Sequence, residues 1–423
     1  MNTFFDNEIV LHAHDGVHAE LKAGQPAFFL ESAGEATLFE EPTRFLWDRY
    51  VSAGSTPSIH TWSKAAYSLK SWFQFLQAMG KHWLDASAED RRSYRDAYLS
   101  SISPRTGRHY HAQGVSDSMS VVRSFYAFAR RKGWYVGDID GNCEEVVSNI
   151  EIDRDAFADA RSATLQRTKD RDLPKSSPNV VIHPLMVRDL TNLLNHVGPQ
   201  ATNRQADTRP ARDRVICDLG WVVGLRLSEV ISLTTLQFLS LSPDPSSPYT
   251  DLKLIVCGKG NKSRQVAIPT WLVLDVIEYI DCERSEALRA WEKRPRKTPI
   301  QLLLGRLDSP RRGQPISNHA IQRIMREACV GLGLVETVEK VIPETGEVFH
   351  DKVPKHSYHD LRHTCAVLMY HAEVMSGNPE PWKKIQAQLG HAHLSTTIDT
   401  YLAHVEIFTD RPGLLNVRKL IGL

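Results

Sequence analysis

Between His356 and His404 the chain reads HSYHDLRHTCAVLMY, then a looser segment, then KKIQAQLGHAHLSTTIDTYLAH. His359 and Arg362 are three apart, so on a helix they share a face. A ring N–H beside a guanidinium suits an anionic oxygen, and arginine is the side chain that grips phosphate through paired hydrogen bonds. Further on, His391 follows Gly390 on a turn, and Tyr401 comes after it. A tyrosine hydroxyl can be a covalent nucleophile where nearby cations stabilise the developing charge. The HDLRH run also matches a zinc-binding HExxH with aspartate in the glutamate position. That reading needs a third ligand and a glutamate base, for which Asp360 is a poor substitute. A lone histidine or tyrosine is more often structural than catalytic.

The elements that must hold these groups are legible around them. Ser357 and Asp360 form a capping-box start, and Leu361, Cys365, Leu368 and Met369 recur at helical spacing. Ile385 and Leu389 predict an amphipathic helix stopped by Gly390. Thr396 and Asp399 read as the capping signal of a short helix carrying Tyr401.

The 423 residues favour two or three domains, and 42% hydrophobic content supports proper cores. Six cysteines are scattered without a CxxC pair, so no disulfide framework or zinc ribbon is indicated, and a reduced, cytoplasmic compartment is expected. No apolar run approaches membrane-spanning length, and no secretory signal is visible. The net charge of +1 lacks the basic footprint usual for nucleic-acid binding. The charge is uneven, however: Glu31, Glu35, Glu40 and Glu41 come early, and basic clusters at 204–214, 293–297 and 311–312 come later. Such runs are usually solvated faces.

Residues 1–45 have no clear role; FFLESAGEATLF fits a strand pair or an arm. From 46 to 150 the pattern is helical. Leu46, Tyr50 and Val51 suit a first helix, and Trp62, Ala65, Ala66, Leu69, Phe73, Leu76 and Met79 a second that Gly80 stops. Tyr94, Ala97 and Tyr98 suggest a third. Residues 103–114 read as a loop, with Ser116 or Asp117 capping a fourth helix. Polar residues 151–182, with Pro174 and Pro178, read as a linker, and 183–423 as a second domain. There LKLIV (252–256) and QVAIP (265–269) predict two strands joined by a CGKGNKSR turn, which is not a Walker A loop. Residues 334–355 read as an inserted hairpin turning at 344–346.

Taken in order, GLR (224–226), GKGNK (258–262), HDLRH (359–363), LGH (389–391) and Tyr401 resemble the tyrosine recombinase, or phage integrase, family over roughly residues 46–423. The resemblance implies a mostly α fold with a small β-hairpin: an all-helical core-binding domain, then a mixed α+β catalytic domain with a C-terminal tail. It implies a catalytic set of Arg226, Lys259, His359, Arg362, His391 and Tyr401, with Glu229 in support. Lys64, Lys70, Arg123, Arg130, Arg131, Lys262, Arg264, Arg311 and Arg323 would be DNA contacts. The spacing from His391 to Tyr401 is one residue longer than in some members.

The implied chemistry is attack of Tyr401 on a DNA phosphate to give a 3′-phosphotyrosine, then strand exchange and religation with no cofactor, metal or ATP. The implied partner is double-stranded DNA, bound by a homotetramer, and the family allows accessory recombination proteins. Two other readings stay open: a topoisomerase IB-like strand transferase that relaxes supercoils, and a non-catalytic DNA-binding relative. The separate helical domain and the LGH motif favour the recombinase over the first. The intact residue set speaks against the second.

Overall fold

The computed structural model describes residues 7–12, 22–32, 35–52, 58–148, 165–175, 182–204, 207–258, 263–291 and 298–409. The chain divides into two units. The first comprises residues 1–178 with 339–349; the second comprises 179–338 and 350–423.

The first unit is built on aromatic side chains at helical spacing. It opens with three antiparallel strands, β1 (Asn7–His12), β2 (Pro26–Ser32) and β3 (Glu35–Leu38), so FFLES and EATL do form a strand pair. Helices α1 (Glu40–Leu46), α2 (Ile59–Ala78), α3 (Ala88–Ser100) and α4 (Ala112–Arg131) follow. Phe28, Phe45, Leu69, Trp72, Phe73, Tyr94, Phe125 and Tyr126 share one core. The indole N–H of Trp72 donates to the Tyr126 hydroxyl (3.1 Å), which donates to the Trp83 carbonyl (2.8 Å), so the polar tips of buried aromatics are partnered.

Helix α4 starts earlier than the sequence suggested. Its cap is His111, whose Nδ1 accepts from Gln113 N–H (3.3 Å), and Asp117 instead forms an ion pair with Lys64. The segment expected to be a linker also holds structure. Strand β4 (Cys143–Ser148) pairs antiparallel with β5 (Leu165–Asp170). The fully buried Arg91 of α3 reaches Asp170 and Asp172, which fixes the end of that segment to the helical core.

The second unit is organised around α6 (Ala211–Trp221), which follows α5 (Val187–Val197) and is buried along most of its length. Helices α7 (Leu227–Ser232) and α8 (Thr235–Leu239) lead to the hairpin of β6 (Asp251–Cys257) and β7 (Ser263–Pro269). Leu254, Val256, Val266 and Ile268 are buried in the alternating pattern of a sheet with one covered face. Next come α9 (Thr270–Tyr279), a π-turn, α10 (Ser285–Arg289), α11 (Asn318–Gly331), and the hairpin strands β8 (Val335–Val341) and β9 (Val348–Pro354), of which residues 339–349 belong to the first unit. The chain closes with α12 (Tyr358–Met375), α13 (Pro381–Leu389) and α14 (Leu394–Thr409). At Gly220 an added Cβ would stand 3.0 Å from Leu361 Cβ, so glycine lets α6 lie close against α12. The predicted cap at Thr396 and Asp399 falls inside α14, which begins at Leu394.

Candidate active site

Helix α12 begins as its sequence dictates: Asp360 accepts from the N–H (2.7 Å) and hydroxyl (2.9 Å) of Ser357. The first turn thereby presents His359, Arg362 and His363 on neighbouring positions. Arg362 is only 1% exposed. It donates to the carbonyl of Gly224, to that of Leu389 (2.6 Å), and to His391 Nε2 (3.3 Å). One guanidinium thus joins the α6–α7 junction, the end of α13 and the turn beyond it. Burial pulls its pKa down first, and the charge of Arg226 pulls it further, to about 10. It stays ionised at neutral pH.

Two glycines shape these junctions. Gly224 (φ +73°) ends α6 with a left-handed turn, and its absent Cβ would meet Leu389 Cδ2 at 2.6 Å. Gly390 (φ +66°) stops α13, as predicted, and an added Cβ there would lie 2.5 Å from Arg264 Cδ. Past Gly224, Arg226 sits just before α7, and Glu229 on the first turn of that helix accepts from its N–H (2.8 Å) and from Nη1 (3.0 Å).

Glu229 also takes both terminal nitrogens of Arg264, one of them at 3.0 Å. Burial alone would raise the Glu229 carboxyl. The hydrogen bonds of Arg264 and the Arg226 N–H, with both charges, outweigh it and hold the pKa below its usual value. Arg264 was expected among the DNA contacts. Side chains alternate along a strand, and Arg264 shares the inward face of β7 with Val266 and Ile268, so it turns to Glu229. Gln388 of α13 completes the frame: its amide donates to the carbonyls of Val223 (3.0 Å) and Ala267 (2.9 Å) and accepts from Ala267 N–H (2.9 Å).

His391 has a defined tautomer. Arginine only donates, so Nε2 facing Arg362 is the acceptor, and Nδ1–H donates to Thr397 Oγ1 at 2.9 Å. Burial, then the charges of Arg362, Arg226 and Arg264, lower its pKa to about 4. Tyr401 is 1% exposed, and its ring lies parallel to His391 (8°, centroids 6.2 Å apart). Burial lifts its hydroxyl to about 12, against the opposing charges of Arg362 and Arg226. The Tyr401 hydroxyl lies 3.1 Å from Nδ1 of His363, a residue outside the expected set. His359 is solvent-accessible and packs edge-on against His363 (4.5 Å, 84°); packing against its neighbours, then Arg362, keeps its pKa low.

Arg226, Arg362, His391 and Tyr401 therefore converge, with His359 at the rim. Lys259 and Lys262 lie outside the described residues, between the paired strand ends Cys257 and Ser263. Of the other expected contacts, Lys64 and Lys70 border one groove of the first unit, beside Tyr67 and Arg105. Arg123, Arg130 and Arg131 border another, where Arg123 (2.8 Å) and Arg130 both pair with Asp140. Arg311, before α11, and Arg323, within it, border one groove, with Arg323 3.6 Å from Glu327. Among the described residues no three His, Cys, Asp or Glu side chains are grouped as a metal ion requires. No helix among them is long and apolar enough to cross a membrane.

Residues 189–406 match the phage integrase family, and residues 46–133 match the phage integrase N-terminal SAM-like domain. The tyrosine recombinase XerD of Rhizobium meliloti (strain 1021) is 27% identical over 195 residues, 46% of this chain and 48% of that relative. With that relative the match thus spans about half of each protein. The tyrosine recombinase XerC of Roseiflexus sp. (strain RS-1) is 23% identical over 75% of this chain and 79% of its own length. Among solved structures, XerH site-specific recombinase bound to palindromic difH substrate, a post-cleavage complex, shares the fold. Its TM-score is 0.50 at 12% identity, covering 84% of this chain and 80% of that one.

Proposed function

The chain belongs to the phage integrase family, and on that premise we propose that it is a site-specific DNA recombinase whose nucleophile is Tyr401. One observation carries the reading. Arg226, Arg362, His391 and Tyr401 come from separate segments, yet their charges and rings bear on one another at a single place. Cations that preorganise around a tyrosine suit the stabilisation of a phosphoryl group in transfer.

In the proposed reaction Tyr401 Oη bonds to a DNA phosphorus as the P–O5′ bond breaks, leaving a 3′-phosphotyrosine. Arg226 and Arg362 hold the nonbridging oxygens. Lys259 gives its proton to the departing 5′-oxygen, His359 as general acid/base takes the proton of Tyr401, and His391, its ring N–H released from Thr397, hydrogen-bonds the phosphate. A 5′-hydroxyl of the partner strand then reverses the step. The covalent link conserves the phosphodiester energy, so no ATP is called for, and the arginines with Lys259 supply the charge that a metal would.

The proposed division of labour gives residues 46–150 to DNA binding, 183–423 to catalysis, and the assembly on two duplexes to four protomers. The two relatives described above are named tyrosine recombinases, and XerH is described as bound to its DNA substrate in a post-cleavage complex, which supports DNA as the partner.

The test is covalent trapping. Protein is incubated with nicked duplexes cut from the DNA flanking the gene and from the host genome, then denatured, and the DNA that stays attached is identified. The wild type should yield a tyrosine-linked adduct. Tyr401→Phe should bind the same duplex and yield none. Adduct formation by Tyr401→Phe would overturn the assignment.

A further inference from the structure

We propose that His363 is the positioning residue of the nucleophile: its Nδ1 accepts the hydrogen bond of the Tyr401 hydroxyl and keeps that hydroxyl aimed within the arginine cluster. The inference rests on the reading of Tyr401 as nucleophile and adds the group that orients it.

The geometry singles out this histidine. His363 Nδ1 and Tyr401 Oη are 3.1 Å apart, and both side chains are buried, at 8% and 1% exposure. The two residues are 38 apart in sequence, on α12 and α14, so the contact joins two helices rather than neighbours in one turn. His359, the histidine that the family motif puts forward, lies one turn earlier on α12. Its ring packs edge-on against His363 at 4.5 Å. The HDLRH run thus supplies one histidine to the rim and another to the nucleophile.

The protonation states agree with the direction of the bond. Burial first, then the neighbouring His359 and Arg362, lower His363 to about 4, so its ring is neutral at physiological pH. The Tyr401 hydroxyl, raised by burial, keeps its proton. A protonated phenol donates, and a neutral imidazole with its proton on Nε2 accepts at Nδ1. The gap between the two groups leaves the resting contact a neutral hydrogen bond. Its contribution is therefore orientation: it fixes the phenol's torsion and the direction of the lone pair that faces an incoming phosphate. A misaimed nucleophile loses rate far out of proportion to the displacement.

A buried tyrosine that simply finds a convenient acceptor would give the same distance, so the test must separate orientation from packing. His363→Leu keeps the bulk and removes the acceptor; His363→Asn keeps an acceptor oxygen near the position of Nδ1. With the nicked duplex that traps the wild type, His363→Leu should lower the single-turnover rate of adduct formation by about tenfold to a hundredfold. Its DNA affinity should be unchanged, and His363→Asn should restore most of the loss. A His363→Leu rate equal to wild type, or Leu and Asn variants that fall equally, would overturn the proposal.

A second measurement needs neither cleavage nor a His363 variant. In protein labelled with ¹⁵N-histidine, the His363 Nδ1 resonance should move in Tyr401→Phe, which lacks the donor. An unmoved resonance would overturn the proposal. The outcomes separate the two claims: no adduct from the wild type refutes the reading of Tyr401, whereas adduct formation indifferent to His363 refutes only this inference.

Discussion

Replacing Glu229 by glutamine should unsettle Arg226 without emptying any space. The Glu229 side chain is fully buried and accepts from Arg226 N–H, Arg226 Nη1 and both terminal nitrogens of Arg264. Glutamine keeps the volume and one acceptor oxygen, but it turns an NH₂ toward a guanidinium. Removing one partner of a buried ion pair costs about 3–5 kcal/mol. The Arg226 side chain is 30% exposed and can recover water, whereas that of Arg264 is 15% exposed and recovers less. The low end, about 3 kcal/mol, is therefore expected. For a folding unit of this size that lowers Tm by about 6–12 °C. The pH dependence follows from the same carboxyl. Its folded pKa is depressed, so the stability it confers is present above the unfolded value of about 4.3 and is lost as pH falls through the folded value. Wild type and Glu229→Gln should thus differ most at neutral pH and converge in strong acid. Thermal melts followed by circular dichroism across that range read both effects. A cycle with Arg264→Met isolates the pair, and its coupling should exceed about 1 kcal/mol. A Tm within about 2 °C of wild type at neutral pH would refute the reasoning, because Arg226 would then be held by something else.

Gly390→Ala should cost at least about 2 kcal/mol, from left-handed strain and from a Cβ forced against Arg264, which Glu229 pins in place. Chemical denaturation measures it, and an unchanged midpoint would mean that Arg264 moves aside freely. Adduct formation by the wild type should survive excess EDTA, since the proposed charge stabilisation comes from side chains; loss with EDTA and rescue by zinc would return the HDLRH run to the metal-site reading.

Much of the frame was legible because it depends on local chemistry. The stop at Gly390, the start at Ser357 and the alternation in β6 and β7 each follow from a few adjacent residues. What escaped depends on partners that sequence does not bring together. The β4–β5 pairing joins segments on either side of a long polar stretch, so composition alone suggested a linker. Asp117 looked like a cap because aspartate favours that position, yet Lys64 from another helix claims it. The pairing of Arg264 with Glu229 could have been read from its alternation with Val266 and Ile268, had its position been weighed along with its charge. His363 carried a signal too, one turn beyond His359, but nothing local pointed from it to Tyr401 on α14.

The perturbed groups of this site record one field. Two guanidinium groups, Arg226 and Arg264, pair with one buried carboxylate, Glu229, whose charge reaches Arg362 only at a distance, so positive charge is in excess. His359, His363 and His391 are each pushed toward the neutral form, with Arg362 among the causes in every case. Tyr401 feels the same field in reverse: Arg362 and Arg226 favour its phenolate, and burial opposes them. An arriving phosphodiester would supply the missing negative charge, and its transition state would supply more, so the excess is matched to the later point of the reaction. The resting histidines are neutral acceptors: His391 accepts from the charged Arg362, and His363 faces the Tyr401 hydroxyl. Those are the contacts an anion could rearrange at least cost. A site preset with charged histidines would repel its own arginines before any DNA arrived.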